Sequence, residues 1–166
     1  MSFILNGKEI SRTGKPFVIA EIGHNHQGNY NKALELIDLA KWCGADCVKF
    51  QKKDIDSLYT NVMLDSPYDT PDSFGATYGD HKRFLEFNED QIWGLKNYAE
   101  SKGLFFLSTA FDVVSVNLLE RLDVKAYKIG SCDVINTPLI EYVASKRKPI
   151  FLSTGASTIE EIDKAV

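Results

Sequence analysis

The chain has 166 residues, 44% hydrophobic and 25% charged, the proportions of an ordinary soluble globular protein and not of a disordered or fibrous one. A net charge of -4 and an isoelectric point near 5.4, with no run of Lys or Arg, argue against a nucleic-acid surface and a polybasic membrane anchor and favour a small-molecule partner. Residues 1–8 lack a basic stretch followed by a long apolar core, so neither a signal peptide nor a membrane span is expected, and the expected location is the cytoplasm.

Apolar runs too short for helices alternate with segments of helical period, which is the mark of repeated strand-helix units and a parallel sheet. The first strand is expected over 17–23. The helix after it carries Ala33, Leu36, Ile37 and Ala40 on one face, with Asn29 or Asn31 to cap its start and Gly44 its end. The second strand follows over 46–51. Asn88 with Gln91 then approximates a capping box, and Gly103 ends that helix before a third strand over 104–111. A fourth strand is expected over 126–131, a helix opened by Thr137-Pro138, a fifth strand over 149–154, and a last helix with capping-box spacing between Ser157 and Glu160.

The interval from Asp54 to Asn88 breaks this rhythm. It is rich in Asp, Ser, Pro, Gly and Tyr and too long for an ordinary strand-helix connection, so it either serves a site or is a surface excursion. An eight-stranded β/α barrel typically takes about 250 residues. The expected fold is therefore the N-terminal part of a TIM-type β/α barrel, about five of eight strand-helix units, with residues 1–166 a fragment or a protomer completed by a partner. The cysteines Cys43, Cys47 and Cys132 are odd in number, without disulfide-like or zinc-like spacing, and are expected to be reduced, structural thiols.

In parallel β/α architectures functional side chains gather at the carboxyl ends of the strands. The first strand ends in Glu21, a carboxylate directly after four apolar residues, followed by Ile-Gly-His-Asn-His-Gln-Gly. In Cys47-Val-Lys-Phe-Gln51, residues two apart share a face, so Lys49 and Gln51 point the same way, into the expected barrel interior. An inward lysine is costly to bury unless it meets an anion. Ser108 and Thr109 end the third strand, Lys128 and Ser131 lie in and after the fourth, and Ser153-Thr154-Gly155 end the fifth. Two inward lysines, several hydroxyls and an amide on one rim form a pocket suited to a phosphorylated carboxylate. His24 and His26 lack a convincing set of further metal ligands and are expected to orient the loop or bond a substrate. His81 is expected to have a local structural role.

The stretches 19–28, 44–51, 106–111, 127–131 and 148–155, taken in order, resemble the N-acetylneuraminate synthase family of bacteria and animals. That resemblance implies condensation of phosphoenolpyruvate with an N-acylated mannose-type sugar, giving a sialic acid or related nonulosonate and phosphate. It implies that Lys49, Gln51, Thr109, Lys128, Ser131 and Ser153 hold phosphoenolpyruvate, with Glu21 catalytic beside the reacting carbons. It also implies a divalent metal, manganese or magnesium, in the full-length enzyme, with metal ligands, further sugar contacts and a C-terminal antifreeze-like domain beyond Val166, and a homodimer when full length. Relatives commonly carry Gly-Glu where this chain has Cys132-Asp133, so Asp133 would do a shorter carboxylate's work in sugar binding. The alternatives are another phosphoenolpyruvate-aldose condensing synthase, such as those making octulosonate or heptulosonate phosphates, or a catalytically incomplete ligand-binding barrel fragment.

Overall fold

The computed structural model describes residues 2–5 and 7–166; Met1 and Asn6 lie outside it. Five parallel strands form one sheet in sequence order: β3 (Ile19–Gly23), β4 (Cys47–Lys52), β5 (Phe105–Ala110), β6 (Tyr127–Ile129) and β7 (Ile150–Leu152). An antiparallel pair, β1 (Ser2–Leu5) and β2 (Lys8–Ser11), precedes them. Each parallel strand is followed by helical chain: α1 (Tyr30–Trp42); the short α2 (Ile55–Leu58) and α3 (Asn61–Leu64) with α4 (Tyr78–Leu85) and α5 (Glu89–Ser101); α6 (Val113–Arg121); α7 (Thr137–Ala144); and α8 (Ile159–Ala165). This is the N-terminal part of a β/α barrel, five strand-helix units laid side by side. No described helix is long and apolar enough to cross a membrane.

The strands have two apolar faces because they are covered on both. Val48, Phe50 and Phe106 pack outward against Ala33, Ile37 and Ala40 of α1 and against Ile92, Leu95 and Ala99 of α5. Leu36, expected on the same face of α1, is only partly buried against this cluster. The inward residues Cys47, Phe105, Leu107 and Ala126 form a second cluster with Leu5, and Ile10 packs against it. The β1–β2 hairpin, which the sequence reading did not anticipate, therefore places apolar side chains against the inner face. Its position follows from need: inward Phe105 and Leu107 lie on the first half of β5, away from the polar strand ends, and burying them removes apolar area from water at roughly 25 cal/mol per Å².

Several boundaries move by a residue or two. β4 runs one residue further than expected, to Lys52, while β6 and β7 are only three residues long, leaving Ser131 and Ser153 just past their strands. Asn29, not Asn31, caps α1, its side chain accepting from the Lys32 backbone N–H. α7 is capped by Asn136, one residue before the expected Thr137, because Asn136 accepts from Leu139 N–H and Pro138 already sits in the first turn. At α8 the capping box pairs Thr158 with Glu161 and not Ser157 with Glu160; the adjacent glutamates give both pairs the same spacing.

The long interval is structured. Tyr59 and Tyr68 both lie edge-on to Tyr78, and Phe74 stacks on Phe84. Buried His81 has the local structural role expected of it, its Nδ1 accepting from the Phe74 N–H at 3.3 Å while its ring stacks on Phe74.

Candidate active site

The carboxyl ends of the strands bring most of the expected polar residues together. Glu21 pairs in register with Lys49 on the neighbouring strand, and their side chains form an ion pair. Lys49 is only 8% exposed, and its Nζ also donates to Thr109 Oγ1 at 3.1 Å across β4 and β5. Glu21 keeps half of its side chain, 52%, in solvent. Glu21, Lys49, Lys128 and Ser153 line one cavity of about 310 Å³ whose apolar wall includes Ile19 and Phe151. Burial, then the neighbouring Lys49 charge, lower the Lys128 pKa from the ordinary lysine value. A carboxylate thus faces two ammonium groups and a hydroxyl, contributed by four different strands or strand ends.

Gln51 sits one step further out on the same face of β4 as Lys49, its Oε1 accepting from Lys53 Nζ at 2.8 Å. Ser131 and Asp133 fall in a short 3-10 turn (Ser131–Asp133) after β6, and Ser131 opens onto a neighbouring cavity of about 290 Å³ shared with Cys132 and Gly155. Asp133 accepts from Asn136 Nδ2 at 3.1 Å. Ser108 does not join the site. Strand alternation turns it to the helix side, where its buried hydroxyl has no hydrogen-bond partner among the described residues. A larger cavity, about 620 Å³, lies elsewhere, between the hairpin and Phe17, and is not lined by residues from the carboxyl ends of the parallel strands.

The structure adds a second polar cluster that the sequence reading missed. Glu86, at the end of α4, has a carboxylate 8% exposed, and its Oε2 accepts from Lys52 Nζ at 3.0 Å and from the Lys53 N–H at 3.1 Å. His24 Nε2 lies 3.4 Å from Glu86 Oε1, and among the described residues neither atom makes a well-formed hydrogen bond. Burial pushes the Glu86 pKa up, but the contacts with His24 and Lys52 outweigh it and hold the carboxyl below its usual range. His26 stacks on Phe87 with ring centroids 4.2 Å apart and accepts from the Gly28 N–H at 3.0 Å. Burial, reinforced by His24, lowers its pKa to about 4. His26 is therefore held by packing and loop geometry, while His24 faces the Glu86 carboxylate. Among the described residues no three His, Cys, Asp or Glu side chains are grouped to hold a metal ion, so this chain's donors do not fit a metal site.

The NeuB family matches residues 36–166, most of the chain. The chain belongs to the NeuB family. Human N-acetylneuraminate-9-phosphate synthase is 44% identical over 144 residues, covering 87% of this chain and 40% of that protein. The N,N'-diacetyllegionaminic acid synthase of Legionella pneumophila is 37% identical over 153 residues, 90% of this chain and 42% of that protein. Among solved structures, the sialic acid synthetase of Leptospira borgpetersenii in complex with citrate superposes with a TM-score of 0.83 at 30% identity, covering 99% of this chain and 53% of that one. This NeuB-family chain therefore spans about two fifths of the length of the curated relatives it matches.

Proposed function

We propose that this chain carries the phosphoenolpyruvate-binding part of a nonulosonate synthase that condenses phosphoenolpyruvate with an N-acylated mannose-type aldose and releases phosphate. The observation that supports this reading is the Glu21–Lys49 ion pair set in one cavity with Lys128 and Ser153. Two partly desolvated ammonium groups suit a ligand with a phosphate and a carboxylate, because charge-assisted hydrogen bonds are strongest where water is displaced. Lys49 and Lys128 bind the anion, the Thr109 hydroxyl orients Lys49, and Gln51, Ser131 and Ser153 supply neutral hydrogen bonds. An arriving anion competes with Glu21 for Lys49 and frees the carboxylate.

The reaction balances with no redox partner. C3 of phosphoenolpyruvate forms a bond to the aldehyde carbon, whose oxygen takes up a proton. Positive charge develops at C2, water adds there, and the resulting hemiketal phosphate expels phosphate as the C2 carbonyl forms. In this reading the Glu21 carboxylate stabilises the charge at C2 and accepts the proton of the adding water. Asp133, in the turn after β6, accepts hydrogen bonds from the acceptor sugar in the same reading.

In calorimetry on the protein expressed from its full reading frame, Lys49→Ala and Lys128→Ala should each weaken phosphoenolpyruvate binding by about 10- to 100-fold, the loss of one charge-assisted hydrogen bond. Equal affinity in both variants and the parent would remove these lysines from the site. Glu21→Ala should lose turnover far more than phosphoenolpyruvate affinity. An unchanged turnover number would remove Glu21 from the mechanism.

A further inference from the structure

The register of the first two parallel strands breaks where the polar side chains of the site begin. Glu21 pairs with Lys49, Gly23 pairs with Phe50, and Ile22 between them is an extra residue. β3 ends at Gly23, while β4 runs on through Gln51 and Lys52. The sheet ladder therefore stops holding the chain that follows Glu21 to the chain that follows Lys49. Gly23 has φ +54°, and a Cβ added to it would lie 3.4 Å from Glu21 Oε1 and 3.5 Å from Gln51 Nε2. The bulge thus lies against both polar side chains, and a shift of this turn moves one relative to the other.

Glu86 supplies the tie that the ladder gives up. Its Oε2 accepts from the Lys52 ammonium and the Lys53 N–H, immediately after Gln51. Its Oε1 faces His24 Nε2 at 3.4 Å, immediately after Gly23. Both of these atoms are buried and neither has a partner elsewhere among the described residues, so each is compensated only by the other, through a proton on Nε2. One buried carboxylate receives the chain beyond β3 on one oxygen and the chain beyond β4 on the other. Phe87, next in sequence, stacks on His26 and docks the same loop. Glu21 itself has a single charged partner, Lys49, and half of its side chain is in solvent. Once an anion takes Lys49 over, the placement of Glu21 depends on the turn that follows it, and Glu86 holds that turn.

Resting on the function proposed above, we infer that Glu86 is a positioning residue for the condensation, acting through His24 on Glu21 and through the end of β4 on Gln51. The test is steady-state kinetics on the protein from its full reading frame, following phosphate release from phosphoenolpyruvate with N-acetylmannosamine or its 6-phosphate as acceptor. His24→Leu and His24→Met, neither of which can donate to Glu86, should each lower kcat by about 10-fold, the worth of one hydrogen bond to a charged group. The KM of phosphoenolpyruvate should change by less than about twofold, because Lys49 and Lys128 are untouched. His24→Gln, whose amide still donates to Glu86, should recover most of kcat. Thermal melting sets the assay temperature below the unfolding of every variant. An unchanged kcat in the two apolar variants overturns the inference, and so does a His24→Gln variant no faster than they are. A loss confined to the KM of phosphoenolpyruvate also overturns it, by making His24 part of anion binding. Absence of phosphate release by the parent with either acceptor overturns the function proposed above and this inference with it, whereas an active parent with indifferent His24 variants overturns the inference alone.

Discussion

Replacing Glu86 by Gln removes one charge and almost no volume, and so isolates the electrostatics of the second cluster. The substitution leaves the Lys52 ammonium, whose side chain is 11% exposed, without its counter-ion. Breaking a buried pair from one side typically costs about 3–5 kcal/mol, because the remaining charge stays desolvated. For a protein of this size each kcal/mol lowers Tm by about 2–4 °C, so a fall of roughly 6–20 °C is expected. Urea unfolding followed by circular dichroism at pH 7 gives the same quantity by extrapolation. The double variant Lys52→Met with Glu86→Gln should recover a large part of the loss, since no unpaired charge remains. The sign of the pH dependence follows from the depressed Glu86 pKa. The pair's contribution is complete above the unfolded glutamate value, about 4.3, and is lost as pH falls through the lower folded value. The gap between parent and variant should therefore close in acid. A loss under about 1 kcal/mol, the range of exposed ion pairs, would refute the argument.

His26 is expected to stay neutral to about pH 4, visible as imidazole resonances that do not shift between pH 8 and pH 5. The unfolded chain takes up that proton near pH 6.5, so the contribution of His26 to stability is complete above that value and falls by up to about 3 kcal/mol as pH drops toward 4. A titration midpoint near 6.5 in the folded protein would contradict this. Gly28 has φ +73° and an added Cβ would lie 2.4 Å from the Phe84 carbonyl oxygen, so Gly28→Ala should cost at least about 2 kcal/mol in urea unfolding. Among these 166 residues, native thiol titration should modify exposed Cys43 and Cys132 but spare Cys47, whose pKa burial pushes up to about 12, until urea unfolds the chain.

The order of strands and helices was legible because strands buried on both faces read as short apolar runs between punctuated helices. Phe17–Gly23 and the run from Leu104 to Phe111 are examples. The shared face of Lys49 and Gln51 followed from strand alternation alone. The same alternation, carried just past the observed end of β4 at Lys52, reaches Lys53, whose ammonium bonds Gln51. The hairpin had a local signal in Asn6-Gly7 between two short runs. Glu86 had none. Its partners His24, Lys52 and Lys53 lie more than thirty residues away along the chain, and only the folded path of the intervening segment brings them to it.

That intervening segment is fastened at both ends. The Asp54 N–H donates to Asp112 Oδ2 at 2.8 Å, and Glu86 returns to the Lys53 N–H, so the residues between leave and rejoin the strand rim at nearly one point. Doubling the length of such a loop costs only about 0.6 kcal/mol in closure entropy. Insertions or deletions between these two fastenings should therefore leave the parallel sheet and its strand-end side chains in place, so the segment is free to vary in length independently of the strands it leaves and rejoins.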